Sequence, residues 1–112
     1  MTETKSVIVY GAGVSGHGAA EVLAKHGKQV FLYNDSECKI EDSLAQALAT
    51  NGGALVCGDF AKLLGSAELL VLSPGVPCDN ENVLLAEEKG VEVISEVELA
   101  YRNYGGHIAA IT

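Results

Sequence analysis

Short apolar runs recur along the chain with amphipathic stretches between them, and that alternation sets the expected fold. Val7–Tyr10, Gln29–Asn34, Ala54–Cys57, Leu69–Leu72 and Val91–Ile94 are rich in Val, Ile and Leu and mostly lack an apolar/polar alternation. This is the pattern of strands covered on both faces. Between the first two, Gly16, Ala19, Ala20, Leu23, Ala24 and Gly27 fall at helical spacing, giving a stripe of small and apolar side chains with Gly27 placed to stop the helix. Glu41–Asn51 carries Leu44, Ala45 and Leu48 and is ended by Asn51-Gly52-Gly53. Asp59 is expected to cap a short helix over Phe60–Leu64, and Asn82–Gly90 reads as a fourth helix carrying Val83 and Ala86. Ser95-Glu96-Val97-Glu98 has the S-x-x-E form of a capping box, opening a fifth helix expected to bury Val97, Ala100, Tyr101 and Tyr104. Such β-α-β-α order specifies an α/β fold. The expected architecture is a Rossmann-like, doubly wound, mostly parallel five-stranded sheet with helices on both faces, formed by residues 1–107. Ile108-Ala109-Ala110-Ile111-Thr112 begins another strand. A domain seldom stops partway into an element, so the chain is expected to be a piece of a longer protein.

Composition narrows the function classes. The chain has 112 residues, enough for one domain with a substantial core. Fifteen acidic against seven basic side chains leave a net charge of -8. That balance argues against a surface tracking a phosphate backbone, so nucleic acid is not an expected partner. A local cluster of backbone amides can still hold a phosphate, because peptide N–H groups bind anions whatever the net charge. No apolar run approaches the roughly 20 residues of a membrane span, and with a polar Met1–Lys5 segment no signal peptide is expected. Cys38, Cys57 and Cys78 lack the close spacing of zinc or redox sites. The expectation is a cytoplasmic protein with reduced thiols, no metal site and no membrane contact.

The candidate chemistry sits in two loops, each directly after an apolar run. Gly11-Ala12-Gly13-Val14-Ser15-Gly16 matches G-x-G-x-x-G between strand and helix. There Gly11 permits the tight turn, Gly13 lets backbone approach a diphosphate, and Gly16 lets the helix pack on the strand. Free amides and the positive end of the helix dipole favour the anion. Asp35 lies 24 positions after Gly11, at the end of the second strand. This is close to the offset at which an acidic residue reads a ribose or a base. The competing reading makes Asp35 or Ser36 the cap of the next helix. The second loop, Ser73-Pro74-Gly75-Val76-Pro77, is stiffened by its prolines and offers a hydroxyl at Ser73. It forms a rigid lip rather than an open trough for a nicotinamide. No acid–base pair for hydride chemistry stands out. His17 reads as a helix-surface residue, and His26 and His107 as exposed residues near element ends.

With these residues the chain resembles the N-terminal domain of the Mur ligase family. The carriers are Gly11–Gly16, Asp35, Ser73-Pro74-Gly75-Val76, Gly90–Leu99 and the terminal Ile108–Thr112. In that family the last strand leads into a G-T-N-G-K-[ST] phosphate loop of a central ATP-binding domain, so the resemblance implies that residues 108–112 are its first strand. Within the family the branch adding D-glutamate to UDP-N-acetylmuramoyl-L-alanine matches best. The L-alanine-adding branch usually has a Ser-Ser-Ala-type turn in place of Ser73-Pro74-Gly75. The resemblance implies that Gly11, Gly13, Val14, Ser15 and Gly16 hold the diphosphate of UDP-N-acetylmuramoyl-L-alanine. Asp35 and Ser36 would meet the uracil, and Ser73, Pro74 and Gly75 would line the uridine pocket. Glu37 stands where family members often carry a basic or polar residue. The implied reaction is ATP-dependent amide formation through an acyl phosphate. ATP, Mg2+ and D-glutamate would bind in domains outside this chain, which would hold no catalytic residue and no cofactor itself. Two rival readings are an NAD(P)-binding module of an oxidoreductase and a regulatory nucleotide sensor.

Overall fold

The computed structural model describes residues 6–11, 14–35, 39–65, 67–73, 76 and 79–101. Five strands, β1 (Ser6–Tyr10), β2 (Gln29–Asn34), β3 (Ala54–Cys57), β4 (Ala67–Leu72) and β5 (Glu92–Ser95), form one sheet in the order β3-β2-β1-β4-β5. Every neighbouring pair is parallel. The helices are α1 (Val14–Lys25), α2 (Asp42–Thr50), α3 (Glu81–Glu88) and α4 (Glu96–Tyr101), with a 3-10 turn over Phe60–Leu63. This is the expected doubly wound α/β architecture, with β1 at its centre.

Strand β1 is buried along its whole length, and successive residues serve opposite faces. Val7 and Val9 join Leu23 of α1, Leu48 of α2 and Leu99 of α4 in one core. Ile8 and Tyr10 join Phe60, Leu63, Val83 and Ala86 in the other, under α3 and the 3-10 turn. Fully burying a side chain such as Leu23 or Leu48 stabilises the fold by roughly 1.5–3 kcal/mol. The small-residue stripe of α1 lies where the spacing puts it: Ala19, Ala20, Leu23 and Ala24 are all buried.

Gly27 stops α1 as its position predicts. With φ at +81°, it lets its own N–H reach the Ala24 carbonyl at 3.0 Å while Lys28 N–H reaches Leu23 at 3.1 Å, the paired bonds of a Schellman closure. The same pairing recurs at Gly52 and Gly90.

Helix α1 starts at Val14, within the Gly11–Gly16 loop. One boundary differs from the sequence pattern in that β5 sits one residue later than Val91–Ile94. Asp59 does not cap with its side chain. A capping carboxylate reaches the first-turn amides from extended backbone, whereas Asp59 has φ 57° and ψ 44° and makes no such bond. Its carboxylate instead lies 3.7 Å from Lys62 in an exposed pair, which contributes little. Helix α4 buries Leu99. The side chains of Val97, Ala100 and Tyr101, together with Tyr104 and Ile108–Thr112, lie outside the described residues.

Candidate nucleotide site

In an open parallel sheet the strand order reverses at one point, and ligands bind beyond the strand carboxyl ends there. Here the chain winds outward from β1 to β2 and β3 on one side, then returns to lay β4 and β5 on the other. The crevice therefore opens between the ends of β1 and β4. Those ends carry Gly11 and Ser73, the first residues of the two loops picked out by the sequence.

The two loops begin in contact. Gly11 N–H donates to the Tyr33 carbonyl at 2.7 Å and Ser73 N–H donates to the Tyr10 carbonyl at 3.1 Å, so sheet pairing runs one residue past each strand. Gly11 has φ +108°, and a Cβ on it would lie 2.9 Å from Ser73 Oγ and 3.0 Å from Ser73 Cβ. Glycine is needed there for both reasons. Helix α1 then opens at Val14, with Ser15 and Gly16 in its first turn and no acidic residue among them. Its leading amides face no local carboxylate on their own turn, which suits an anion. The side chains of Val14 and Ser15, the surroundings of Gly16, and residues Gly13, Ser36, Pro74 and Gly75 entirely, lie outside the described residues.

Ser73 is 9% exposed, and its hydroxyl is already engaged, 3.0 Å from a Glu96 carboxylate oxygen and 3.3 Å from the Gly11 carbonyl. One proton serves two acceptors, and the charged one is nearer and stronger. Glu96 is the first residue of α4. Its neighbour Ser95 accepts the Glu98 N–H at 3.2 Å, half of the expected capping box.

Asp35 is exposed at the end of β2, and α2 begins only at Asp42 with Glu41 before it. The helix-cap reading of Asp35 therefore fails. Its Oδ1 accepts the Tyr10 hydroxyl at 2.7 Å. Tyr10 in turn accepts from Asn82 Nδ2 at 2.9 Å, and Asn80 Oδ1 caps α3 by accepting the Asn82 N–H at 2.7 Å. Tyr10, Asn80, Asn82 and Glu96 escaped the sequence reading. The available signals were a phenol closing an apolar strand and the Asp79–Asn82 polar cluster before a helix.

Burial raises the Tyr10 phenol above its ordinary value; the Asn82 bond opposes this and Asp35 reinforces it. Tyr33 is raised by burial and by the Asp35 charge. Below pH 10 both folded and unfolded chains keep these protons and the contribution to stability is whole. Above that the unfolded chain releases them first, so stability falls as pH climbs through the folded values. Denaturant midpoints measured from pH 8 to 12 should drop at the alkaline end, and less steeply in Tyr10→Phe.

His17, read as a helix-surface residue, is half-buried on α1, with Nε2 buried and lacking a hydrogen-bond partner among the described residues. His26 is exposed, and His107 lies outside the described residues. Cys57 is a free thiol. Among the described residues no group of three or more His, Cys, Asp or Glu could hold a metal ion. No described helix is long and apolar enough to cross a membrane.

The family model described as Mur ligase MurD-like, N-terminal domain, matches residues 5–95. The chain is 40% identical over 111 residues to UDP-N-acetylmuramoylalanine–D-glutamate ligase of Lachnospira eligens, covering 98% of this chain and 25% of that protein. It thus spans about a quarter of the length of the curated relatives it matches. Among solved structures, the UDP-N-acetylmuramate:L-alanyl-gamma-D-glutamyl-meso-diaminopimelate ligase from Neisseria meningitides superposes with a TM-score of 0.63 at 21% identity, covering 90% of this chain and 31% of that one. An imine reductase from Myxococcus stipitatus in complex with NAD+ gives 0.53 at 17% identity, covering 92% and 38%. At such identities the likeness is one of fold, which ligases and dehydrogenases share.

Proposed function

The chain belongs to the Mur ligases as a MurD-like N-terminal domain, and from that premise we propose that it grips the uridine diphosphate end of UDP-N-acetylmuramoyl-L-alanine. The observation that carries this reading is the sheet's reversal point between β1 and β4, where Gly11 and Ser73 lie in contact, both within the matched region. There the amides of the Gly11–Gly16 loop and of Val14 and Ser15 hold the diphosphate, against the positive end of α1. Asp35, with Ser36, meets the uracil, and Ser73, Pro74 and Gly75 wall the uridine. Residues 108–112 then begin the central ATP-binding domain.

The activity proposed for the whole protein is ATP-dependent amide formation, in the cytoplasm. The alanyl carboxylate takes the terminal phosphoryl group of ATP, the D-glutamate amine attacks the acyl phosphate, and ADP and phosphate leave. ATP, Mg2+ and D-glutamate are assigned to segments outside this chain. The contribution of this chain is to bind and orient one substrate.

Titration of the chain, followed by amide NMR shifts, with UDP-N-acetylmuramoyl-L-alanine, UDP and NAD tests the proposal. The uridine compounds should bind in preference to NAD and perturb the ends of β1, β2 and β4. Asp35→Ala removes a hydrogen bond to a charged group, worth about 1.5–3 kcal/mol, and should weaken UDP roughly 10- to 150-fold. Tight NAD binding with no response to either uridine compound would end the proposal.

A further inference from the structure

We infer that Tyr10 is a specificity-determining positioning residue, one that commits Asp35 to reading a single N–H donor. The inference rests on the uridine reading above.

Tyr10 closes β1 and is 2% exposed. Its ring lies 5.0 Å from Tyr33, edge-on at 80°, and 5.5 Å from Phe60. Packed on two sides, the ring has little freedom, and the hydroxyl is delivered to a fixed point. A phenol has one proton to give. The candidate acceptors are Asp35 Oδ1 at 2.7 Å and Asn80 Oδ1 at 3.4 Å. The carboxylate is both charged and closer, and Asn80 Oδ1 already accepts the Asn82 N–H, so the proton goes to Asp35. Asn82 Nδ2 donates to the phenol oxygen at 2.9 Å and fixes that direction. The relay runs from Asn82 through Tyr10 to Asp35 and ties the end of β2 to the start of α3.

The consequence lies in what remains of Asp35. One lone pair of Oδ1 holds the Tyr10 proton, Oδ2 accepts none from the described residues, and the side chain is exposed. A ribose diol grips a carboxylate with one hydroxyl on each oxygen, so its second hydroxyl would have to share Oδ1 with Tyr10, on an oxygen whose charge the phenol already partly neutralises. A pyrimidine imide needs only one acceptor, and its N3–H can take Oδ2. Cytosine presents an acceptor at the same ring position and would face the carboxylate lone pairs. Tyr10 thereby turns a residue suited to adenosine ribose into a reader of uracil.

The test uses Tyr10→Phe, which keeps the ring and deletes the donor. Without ligand, three-bond couplings to Asp35 Cγ should report one rotamer in the parent chain and averaging in the variant. With ligand, UDP affinity should fall about tenfold while NAD affinity holds or rises, so the preference narrows by at least that factor. CDP should bind poorly to the parent. A merely structural role would move UDP and NAD together. If UDP needs Asp35 but Tyr10→Phe keeps both the full UDP-over-NAD preference and the single rotamer, the role of Tyr10 falls and the uridine reading stands. If Asp35→Ala leaves UDP affinity untouched, both fall.

Discussion

Gly53→Ala should unfold the chain or bring it close to unfolding. Gly53 is buried at the entry to β3, where its N–H donates to the Leu48 carbonyl at 2.8 Å. The register that pairs Ala54 with Phe31 sets it beside Val30 in the middle layer of the sheet. A Cβ at Gly53 would collide with the Val30 carbonyl oxygen and lie 2.8 and 2.9 Å from that residue's carbonyl carbon and nitrogen. These are backbone atoms of a strand held on both sides, so neither partner can swing away. Relief requires β3 to lift from β2, with loss of pairing at Phe31 and Leu32. Overpacking of this kind costs about 3 kcal/mol or more, a large share of the roughly 5–15 kcal/mol that holds a domain together. At about 4–8 °C per kcal/mol the melting temperature should fall by some 12–24 °C, read by circular dichroism. A melting temperature within 3 °C of the parent would mean that the sheet edge yields far more easily than its geometry implies.

That residue also marks where the sequence stopped being legible. Asn51-Gly52-Gly53 reads as a helix stop and is one: Gly52, at φ +85°, and the Gly53 N–H on the Leu48 carbonyl together close α2. The second glycine serves a further need, the close approach of two backbones, and local pattern carries no information about which strand passes beside it. Elements defined by their own periodicity came through well. Gln29–Asn34 and Ala54–Cys57 are strands to the residue, because buried parallel strands write themselves as continuous apolar runs. Capping was harder: Asp59 has a capping residue's chemistry but left-handed backbone.

The candidate site divides along the same line. Gly11, Asp35 and Ser73 could be singled out because each sits at a strand's end, and strand ends are visible in the chain. Their partners could not. Tyr10 reaches Asp35 across 25 positions and Glu96 reaches Ser73 across 23, contacts that exist only once the strand order is known. Until then Tyr10 is one more apolar strand residue and Glu96 one letter of a capping motif. Ser73 changes meaning accordingly. Its hydroxyl, offered to the ligand by the sequence reading, is committed to Glu96, and what Ser73 gives the crevice is a fixed wall for Gly11 to lie against.

Gly11→Ala should therefore damage binding more than any change to a single contacting side chain. Three costs add at this position. The backbone sits at φ +108°, where a side chain is strained by about 1–3 kcal/mol. The new methyl would press on Ser73 Oγ at 2.9 Å and Cβ at 3.0 Å. Ser73 cannot rotate clear without giving up its part-buried bond to the Glu96 carboxylate, at 3.0 Å. The ends of β1 and β4 must then part, carrying with them the turn that aims the first amides of α1. With the two charge-assisted bonds proposed for the diphosphate misaligned, UDP affinity should fall on the order of a hundredfold or more, along with a stability loss of about 2 kcal/mol. Gly18→Ala supplies the comparison. Gly18 lies in the interior of α1, is exposed, and a Cβ there meets nothing within 4 Å. That variant should gain roughly 0.5–1 kcal/mol of stability and bind UDP as the parent does. Equal UDP affinity in Gly11→Ala and Gly18→Ala would show that the first loop is only a turn, and that whatever nucleotide the chain holds is gripped somewhere else.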